Sequence, residues 1–274
     1  MTRSLEKAQK AYKNLEFLNS RDARVIRILA EYLEPLQRLK KERVEDTVVF
    51  FGSARTKPLQ EAKKALAELE KQAAAAEEAD PGLDKQIEKA RNELFISHYY
   101  QDAVDLAAKI TTWSKGLGSD HRFIICSGGG FGMMEAANKG TAEASGKSIG
   151  FNISIPLEQL PNHHITPELN FEFHYFFMRK YWFVYMAKAL VIFPGGFGTL
   201  DELCEVLTLI QTKKLEKELP IVVYGTEYWK QVLNLEMMVK YGMISEEDLN
   251  LIHFSDSVDD AFGYLKGELT RLYL

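Results

Sequence analysis

Two glycine-rich turns are the parts of this sequence whose composition best suits the binding of a phosphate group. Residues 127–132 read Ser-Gly-Gly-Gly-Phe-Gly, and residues 194–199 read Pro-Gly-Gly-Phe-Gly-Thr. Each turn follows a short apolar run and precedes apolar residues at helical spacing, which predicts a strand, a turn and a helix. Glycine lets the backbone approach a ligand closely, and the N-terminus of the following helix attracts anions. We expect both turns to face one pocket, although a tight strand-to-helix turn alone also explains the glycines.

Neither turn matches the common nucleotide-binding motifs. The glycine spacing differs from the dinucleotide fingerprint, and no acidic residue ends the next strand where a nicotinamide ribose would need one. Thr199 and Leu200 stand where a Walker motif has a lysine followed by a hydroxyl residue. The sequence also lacks a nucleophile elbow, which argues against acyl transfer.

Two charged residues near the second turn are the candidates for chemistry. Glu202 falls in the first turn of the predicted helix, off its apolar stripe, and can face the crevice. The helix dipole also favours acids at such positions, and this is enough to explain Asp201. Arg179 follows the aromatic run of residues 173–177 and can hold a phosphate or polarise a leaving group. Taken alone, Arg179 is interpreted as a surface charge.

The elements that position these residues alternate between strand and helix along most of the chain. This order predicts an α/β fold with a Rossmann-like, doubly wound parallel sheet over residues 46–274. The predicted strands are residues 47–51, 122–126, 148–153, 171–174, 189–193, 220–225 and 251–254.

Two helical additions to this nucleotide-binding domain are predicted. Residues 1–45 form an N-terminal helical extension, whose helix is interrupted at Pro35. Residues 59–94 carry two apolar repeats on either side of an Asp-Pro-Gly turn at 80–82, which predicts an inserted helical hairpin. A first crossover helix then opens at Tyr99. Such a hairpin is more typical of a structural or oligomerising insertion than of a catalytic element.

The composition is that of an ordinary globular protein. The 274 residues are 46% hydrophobic and 27% charged, with a net charge of −5. The acidic balance argues against nucleic-acid and membrane-surface binding, and no apolar run reaches the length of a membrane span. The N-terminus is too charged for a secretory signal, so we expect a cytoplasmic protein. Cys126 and Cys204 are expected to be reduced, inert thiols.

The histidines do not predict a metal site. His163 and His164 are adjacent rather than one helical turn apart, and no carboxylate stands at a spacing that would complete a zinc site. We predict a solvated histidine pair in a loop, with no metal and no other cofactor.

Three motifs together resemble the signature of the Lonely Guy (LOG) family. They are Ser127-Gly128-Gly129-Gly130 with Gly132-Met133-Met134, then Arg179-Lys180, then Pro-Gly-Gly-Phe-Gly-Thr-Leu-Asp-Glu at 194–202. The resemblance covers roughly residues 47–56 and 97–255. The N-terminal helices and the 59–94 hairpin lie outside the compact plant-type pattern.

The resemblance implies a hydrolase that cleaves the N-glycosidic bond of a nucleoside 5′-monophosphate. The substrate would be AMP or an N6-modified AMP, and the products would be the free base and ribose 5-phosphate. By the same resemblance, Arg179 and Glu202 are catalytic. The residues that would hold phosphate and ribose are Gly129, Gly130, Gly195, Gly196, Gly198 and Thr199. Ser53, Met178 and Lys180 are further candidates, and the family implies a homodimer or larger homo-oligomer.

Two other functional classes stay open. The same phosphate cradle would serve a non-catalytic nucleotide or cofactor carrier, although a carboxylate such as Glu202 does not help to bind a phosphate. The hairpin would suit a protein whose main role is assembly. A lysine decarboxylase is not predicted, because that chemistry needs a lysine in an aldimine setting and neither Lys180 nor Lys188 has one.

Overall fold

One parallel sheet organises the computed structural model, which describes residues 7–76, 80–118, 121–156 and 160–274. All neighbouring strands in the sheet run parallel. The strands are β1 (Thr47–Phe51), β2 (Ile124–Ser127), β3 (Ser148–Ile153), β4 (Asn170–Phe173), β5 (Ala187–Ile192), β6 (Ile221–Tyr224) and β7 (His253–Ser255). The predicted Rossmann-like α/β fold is confirmed, and each predicted strand lies close to its expected position.

Helices cover both faces of the sheet. They are α1 (Leu15–Asn19), α2 (Arg24–Lys41), α3 (Leu59–Ala75), α4 (Pro81–Lys115), α5 (Met133–Glu143), α6 (Phe176–Met186), α7 (Phe197–Gln211), α8 (Thr226–Val232), α9 (Leu235–Lys240) and α10 (Val258–Tyr273). Val48 and Phe50 of β1 pack in one core layer with α4, α5 and α10. Val49 and Phe51 pack in the other with α2, α6 and α7, as the two-residue repeat of a strand requires. Within the described residues, each helix is too short or too polar to span a bilayer.

The strand order creates a crevice beside β1. The spatial order is β4-β3-β2-β1-β5-β6-β7, so the chain extends the sheet first on one side of β1 and then on the other. The connections that follow β1 and β5 therefore lead away from each other along the sheet. The place where the strand order reverses in this way is a switch point, and open α/β sheets bind ligands there. The second glycine turn follows β5 and lies at this point. The first follows β2, one strand away.

Helix α4 is longer than predicted. It runs without a break from Pro81 to Lys115, so the second arm of the predicted hairpin and the first crossover helix are one helix of 35 residues. No glycine or proline stands between Leu94 and Tyr99 to end it. The N-terminal part of α4 packs against α3, and the rest packs on the sheet.

Helix α2 continues through Pro35, where the sequence predicts an interruption. Proline has no N–H, so the Glu31 carbonyl one turn earlier loses its helical partner. The indole N–H of Trp182 on α6 donates to that carbonyl at 2.9 Å instead. The Glu31 carboxylate also accepts from two backbone N–H groups that immediately precede α6. The N-terminal segment thereby fixes the start of α6 in place.

Candidate functional site

A cavity of about 780 Å³ opens at the switch point between β1 and β5. This volume is typical of a site for a small organic ligand. Two of its walls are residues 51–55, at the end of β1, and residues 194–202, at the start of α7. Helices α4, α5, α6 and α8 add the side chains of Ile96, Met134, Phe176, Arg179, Tyr228 and Val232.

The second glycine turn shapes the wall at the N-terminus of α7. A Cβ on Gly195 would come within 2.1 Å of the Thr199 hydroxyl oxygen, so this glycine is needed for the turn itself. A Cβ on Gly196 or Gly198 would meet nothing within 4 Å, so these two glycines border open space. The Tyr228 hydroxyl donates to the Gly195 carbonyl at 2.8 Å and holds the turn from α8. Open space in front of a helix N-terminus is suited to an anion.

Glu202 lies in the cavity wall, on the second turn of α7. Its side chain is only 7% exposed. Burial raises the pKa of its carboxyl group to about 7, although Lys180 and Arg179 act in the opposite direction. Its Oε2 atom has no hydrogen-bond partner among the described residues. Buried acids with perturbed pKa values concentrate at functional sites, which makes Glu202 a candidate for acid–base or electrostatic catalysis.

Arg179 reaches the same cavity from α6. Its guanidinium lies over the Phe183 ring at 5.1 Å, and its Nε has no hydrogen-bond partner among the residues described. Burial lowers the pKa of the guanidinium, and the nearby Glu202 carboxylate opposes that shift. Gly128 leaves room for the side chain, since a Cβ there would lie 2.7 Å from Nη2 of Arg179. A largely buried cation with an unused donor favours an anionic ligand.

Lys180 and Met178, two further candidates on α6, lie away from the cavity. The Lys180 ammonium is 2.8 Å from Asp201 and 2.9 Å from Glu205, so it joins α6 to α7. These two carboxylates raise the pKa of Lys180 despite its partial burial. Met178 packs in the hydrophobic core. Both residues can position the site, but neither is among the described residues that line it.

Ser53 does line the cavity, in the loop after β1. Its hydroxyl accepts from the Arg55 backbone N–H at 3.1 Å, and its own backbone N–H donates to the Pro194 carbonyl at 3.0 Å. The second bond links the two loops of the switch point. Ser53 therefore shapes the cavity at the junction of two walls.

The first glycine turn follows β2, one strand away from the switch point. Gly129 and Gly130 are buried and are not among the described residues that line it. The Gly129 N–H donates to the Ser127 hydroxyl at 3.1 Å, and both glycine carbonyls accept from the Asn162 side chain. Only Met134, just after the turn, touches the cavity. The role of Gly129 and Gly130 in holding phosphate or ribose therefore stays a prediction.

Sequence analysis missed the walls that come from distant parts of the chain. Ile96 of α4 and Val232 of α8 have no local motif that marks them. In the loop of residues 52–55 the sequence predicted only Ser53, although this loop directly follows the central strand at the ligand-binding edge. Phe176 and Phe197 lie beside the cavity with 54% and 91% of their surfaces exposed. Such exposed rings offer apolar faces to a planar ligand.

The histidine pair has an acidic neighbour that the sequence did not reveal. His163 and His164 lie in the loop before β4 with ring centroids 4.1 Å apart. Glu135 of α5 offers a carboxylate oxygen to the pair, and the three ligand atoms all lie within 4.8 Å of one another. Spacing along the chain could not reveal this carboxylate, because Glu135 comes close to the histidines only in the folded chain.

Comparison with protein families gives one assignment. Residues 134–265 match the family model described as possible lysine decarboxylase, which is the LOG family domain. Over this segment the chain is similar to the LOG family. The matched segment includes Arg179, the second glycine turn and Glu202, whereas β1, its loop and α4 lie before it. No lysine is among the described residues that line the cavity.

The other comparisons are more distant. The comparison with curated proteins found no significant match. The solved structure of the protein TM1055 is 16% identical, with a TM-score of 0.47 over 81% of this chain and 99% of that one. The Moco carrier protein of Chlamydomonas reinhardtii is 18% identical, with a TM-score of 0.44 over 83% and 99%. The molybdenum cofactor binding protein of the phototrophic bacterium Rippkaea orientalis is 18% identical, with a TM-score of 0.39 over 61% and 87%.

Proposed function

We propose that this protein hydrolyses the N-glycosidic bond of a nucleoside 5′-monophosphate, AMP or an N6-modified AMP. The products are the free base and ribose 5-phosphate. The observation that carries the proposal is that a buried acid, Glu202, and a largely buried cation, Arg179, line the same cavity. A site that only binds phosphate gains nothing from a buried carboxyl group whose pKa is about 7.

Glu202 has the properties that hydrolysis at the ribose requires. Water adds its oxygen to C1′, the C1′–N bond breaks, and its electron pair and a proton end on the base. Positive charge develops on the ribose during this step, and an ionised carboxylate stabilises that charge. With a pKa of about 7, Glu202 is ionised in part of the molecules at neutral pH and is basic enough to accept the proton of the attacking water.

The other walls suit the rest of the substrate. The N-terminus of α7, with the open space beside Gly196 and Gly198, would hold the 5′-phosphate. Arg179 would neutralise the phosphate or polarise the leaving base. The exposed rings of Phe176 and Phe197 would contact the purine.

Chromatographic detection of free base tests the proposal. The purified wild-type protein is incubated with AMP, N6-isopentenyl-AMP, GMP and CMP. The variants Arg179→Ala and Glu202→Ala are assayed in the same way. The control is Glu246→Gln, because Glu246 is an exposed acid that is not among the described residues lining the cavity. We expect wild type and the control to release adenine or the prenylated base. Each cavity variant should be slower by about 100-fold or more, the usual contribution of such a group. Absence of base release from all four substrates would contradict the proposal.

A carrier that binds a phosphate-containing ligand without converting it is the second candidate. The cavity of about 780 Å³ lies in the upper half of the usual range for small-ligand sites and can admit a ligand larger than AMP. Wild-type protein that binds the monophosphates but never releases base would favour the carrier.

We also propose a homodimer, as the family resemblance suggests. Helix α2 exposes an apolar stripe of Val25, Ile26, Leu29 and Leu33, each between 46% and 66% exposed. Contiguous exposed apolar surface of this kind marks protein interfaces. Light scattering should give twice the chain mass of 31.3 kDa or more, and a monomer would contradict the proposal.

A further inference from the structure

Glu135, His163 and His164 form a cluster of metal-ligand groups outside the cavity. One carboxylate oxygen and one nitrogen of each imidazole all lie within 4.8 Å of one another. Glu135 and His164 are half-buried, and His163 is exposed. None of the three is among the described residues that line the cavity, so the proposed hydrolysis leaves the cluster unexplained.

The backbone that carries the two histidines is fixed on both sides. Before them, the Asn162 backbone N–H donates to the Gly129 carbonyl at 2.8 Å. After them, the Thr166 hydroxyl accepts from the Ser148 backbone N–H at 3.0 Å. The His164 backbone N–H itself donates to the Asn162 side chain at 3.1 Å. A metal site needs donors held by such a supporting shell.

Helix α5 supplies the third donor from an equally fixed position. Glu135 lies in its first turn. One turn further along the helix, Oδ1 of Asn138 accepts a hydrogen bond from the side-chain amide of Asn162 at 3.0 Å. The helix and the histidine loop are therefore already joined beside the cluster. The three donors lie on these two joined segments.

The donor set indicates the kind of metal. Two imidazoles and one carboxylate are the protein ligands of known four-coordinate zinc sites in which water takes the fourth position. Calcium and magnesium prefer oxygen ligands alone, so the histidines disfavour them. The positive charge of nearby Lys139 opposes the binding of a cation, but the carboxylate of Glu143 lies 3.9 Å from the Lys139 ammonium and offsets this charge.

We propose that Glu135, His163 and His164 bind a zinc-class transition-metal ion. The ion joins α5 to the histidine loop, and Asn162 connects that loop to the carbonyls of Gly129 and Gly130. None of the three ligands is among the described residues that line the cavity, so the ion takes no part in the proposed hydrolysis. The site follows from the three-dimensional arrangement and revises the expectation of a solvated histidine pair.

Zinc titration of tag-free protein tests the site. A Cys204→Ser background removes the exposed thiol as an alternative ligand. The metal-free protein competes with a chromophoric chelator for Zn²⁺, which measures affinity and stoichiometry together. His163→Ala, His164→Ala and Glu135→Gln remove one ligand each. The matched control is His253→Ala. It removes another histidine that lies 3.0 Å from a carboxylate, Asp260, but has no third ligand group among the residues that the structure describes.

The expected result is one Zn²⁺ per chain in the parent protein and in the His253→Ala control. Each of the three cluster variants should bind at least about tenfold more weakly, because loss even of a supporting group around a metal costs that much. The thermal midpoint should rise with Zn²⁺ in the parent and the control, and not with Mg²⁺. Circular dichroism of the metal-free variants checks that they are folded. Wild-type affinity in any one cluster variant, or absence of zinc binding by the parent, would overturn the proposal.

Discussion

Replacing Glu202 by glutamine should stabilise the protein above neutral pH. Folding raises the pKa of this carboxyl group from an ordinary 4.5 to about 7, chiefly through burial. Between these two values the unfolded chain has released a proton that the folded chain retains, so wild-type stability falls as the pH rises through that window. At 1.36 kcal/mol per pH unit, the loss is about 3 kcal/mol once Glu202 is ionised in both states. Glutamine keeps the shape and carries no charge, so the variant avoids this loss.

Urea unfolding measured from about pH 5 to about pH 8.5 checks this reasoning. The free energy of unfolding of Glu202→Gln, minus that of wild type, should increase by about 3 kcal/mol across the range. The same difference for the exposed-acid control Glu246→Gln should stay constant. A pH-independent difference for Glu202→Gln would refute the account of Glu202 as an acid whose ionisation the fold opposes.

Three further changes separate binding from stability. Gly198→Ala adds a methyl group to open space at a helical position. The free energy of unfolding should therefore stay the same or rise by up to about 1 kcal/mol. AMP binding, measured by calorimetry, should weaken because the methyl group enters the space in front of the helix N-terminus. Gly195→Ala should instead lower the free energy of unfolding by about 1–3 kcal/mol, because the new Cβ would meet the Thr199 hydroxyl oxygen at 2.1 Å. Trp182→Phe removes the donor to the Glu31 carbonyl, and urea unfolding should show a loss of about 1–3 kcal/mol. Unchanged AMP affinity in the first variant, or unchanged stability in the other two, would contradict these expectations.

The fold could be predicted from the sequence because its signals are local. Short apolar runs alternate with helical periodicity, and parallel sheets follow from that alternation. The two helix boundaries that failed depend on other information. Pro35 does not end α2, because a tryptophan distant in sequence satisfies the carbonyl that the proline leaves without a donor. The predicted break before Tyr99 was inferred from apolar spacing, although no residue there disfavours a helix.

The site was predictable only where its residues belong to one motif or a neighbouring helix. Glu202 and the second glycine turn lie in one stretch of chain, and Arg179 is on the preceding helix. Gly129 looked equivalent from its local sequence, but the strand order places its loop away from the switch point. Glu135 and the histidine pair come together only in three dimensions, so spacing along the chain could not reveal them.

The most direct test of the central claim compares binding and turnover in Glu202→Gln. Calorimetry measures AMP affinity, and chromatography measures adenine release by the same preparation. Because this substitution should stabilise the fold at the assay pH, any loss of activity cannot be attributed to unfolding. The account predicts AMP affinity close to that of wild type and adenine release at least about 100-fold slower. Equal rates of adenine release in variant and wild type, or no release by wild type that binds AMP, would contradict it.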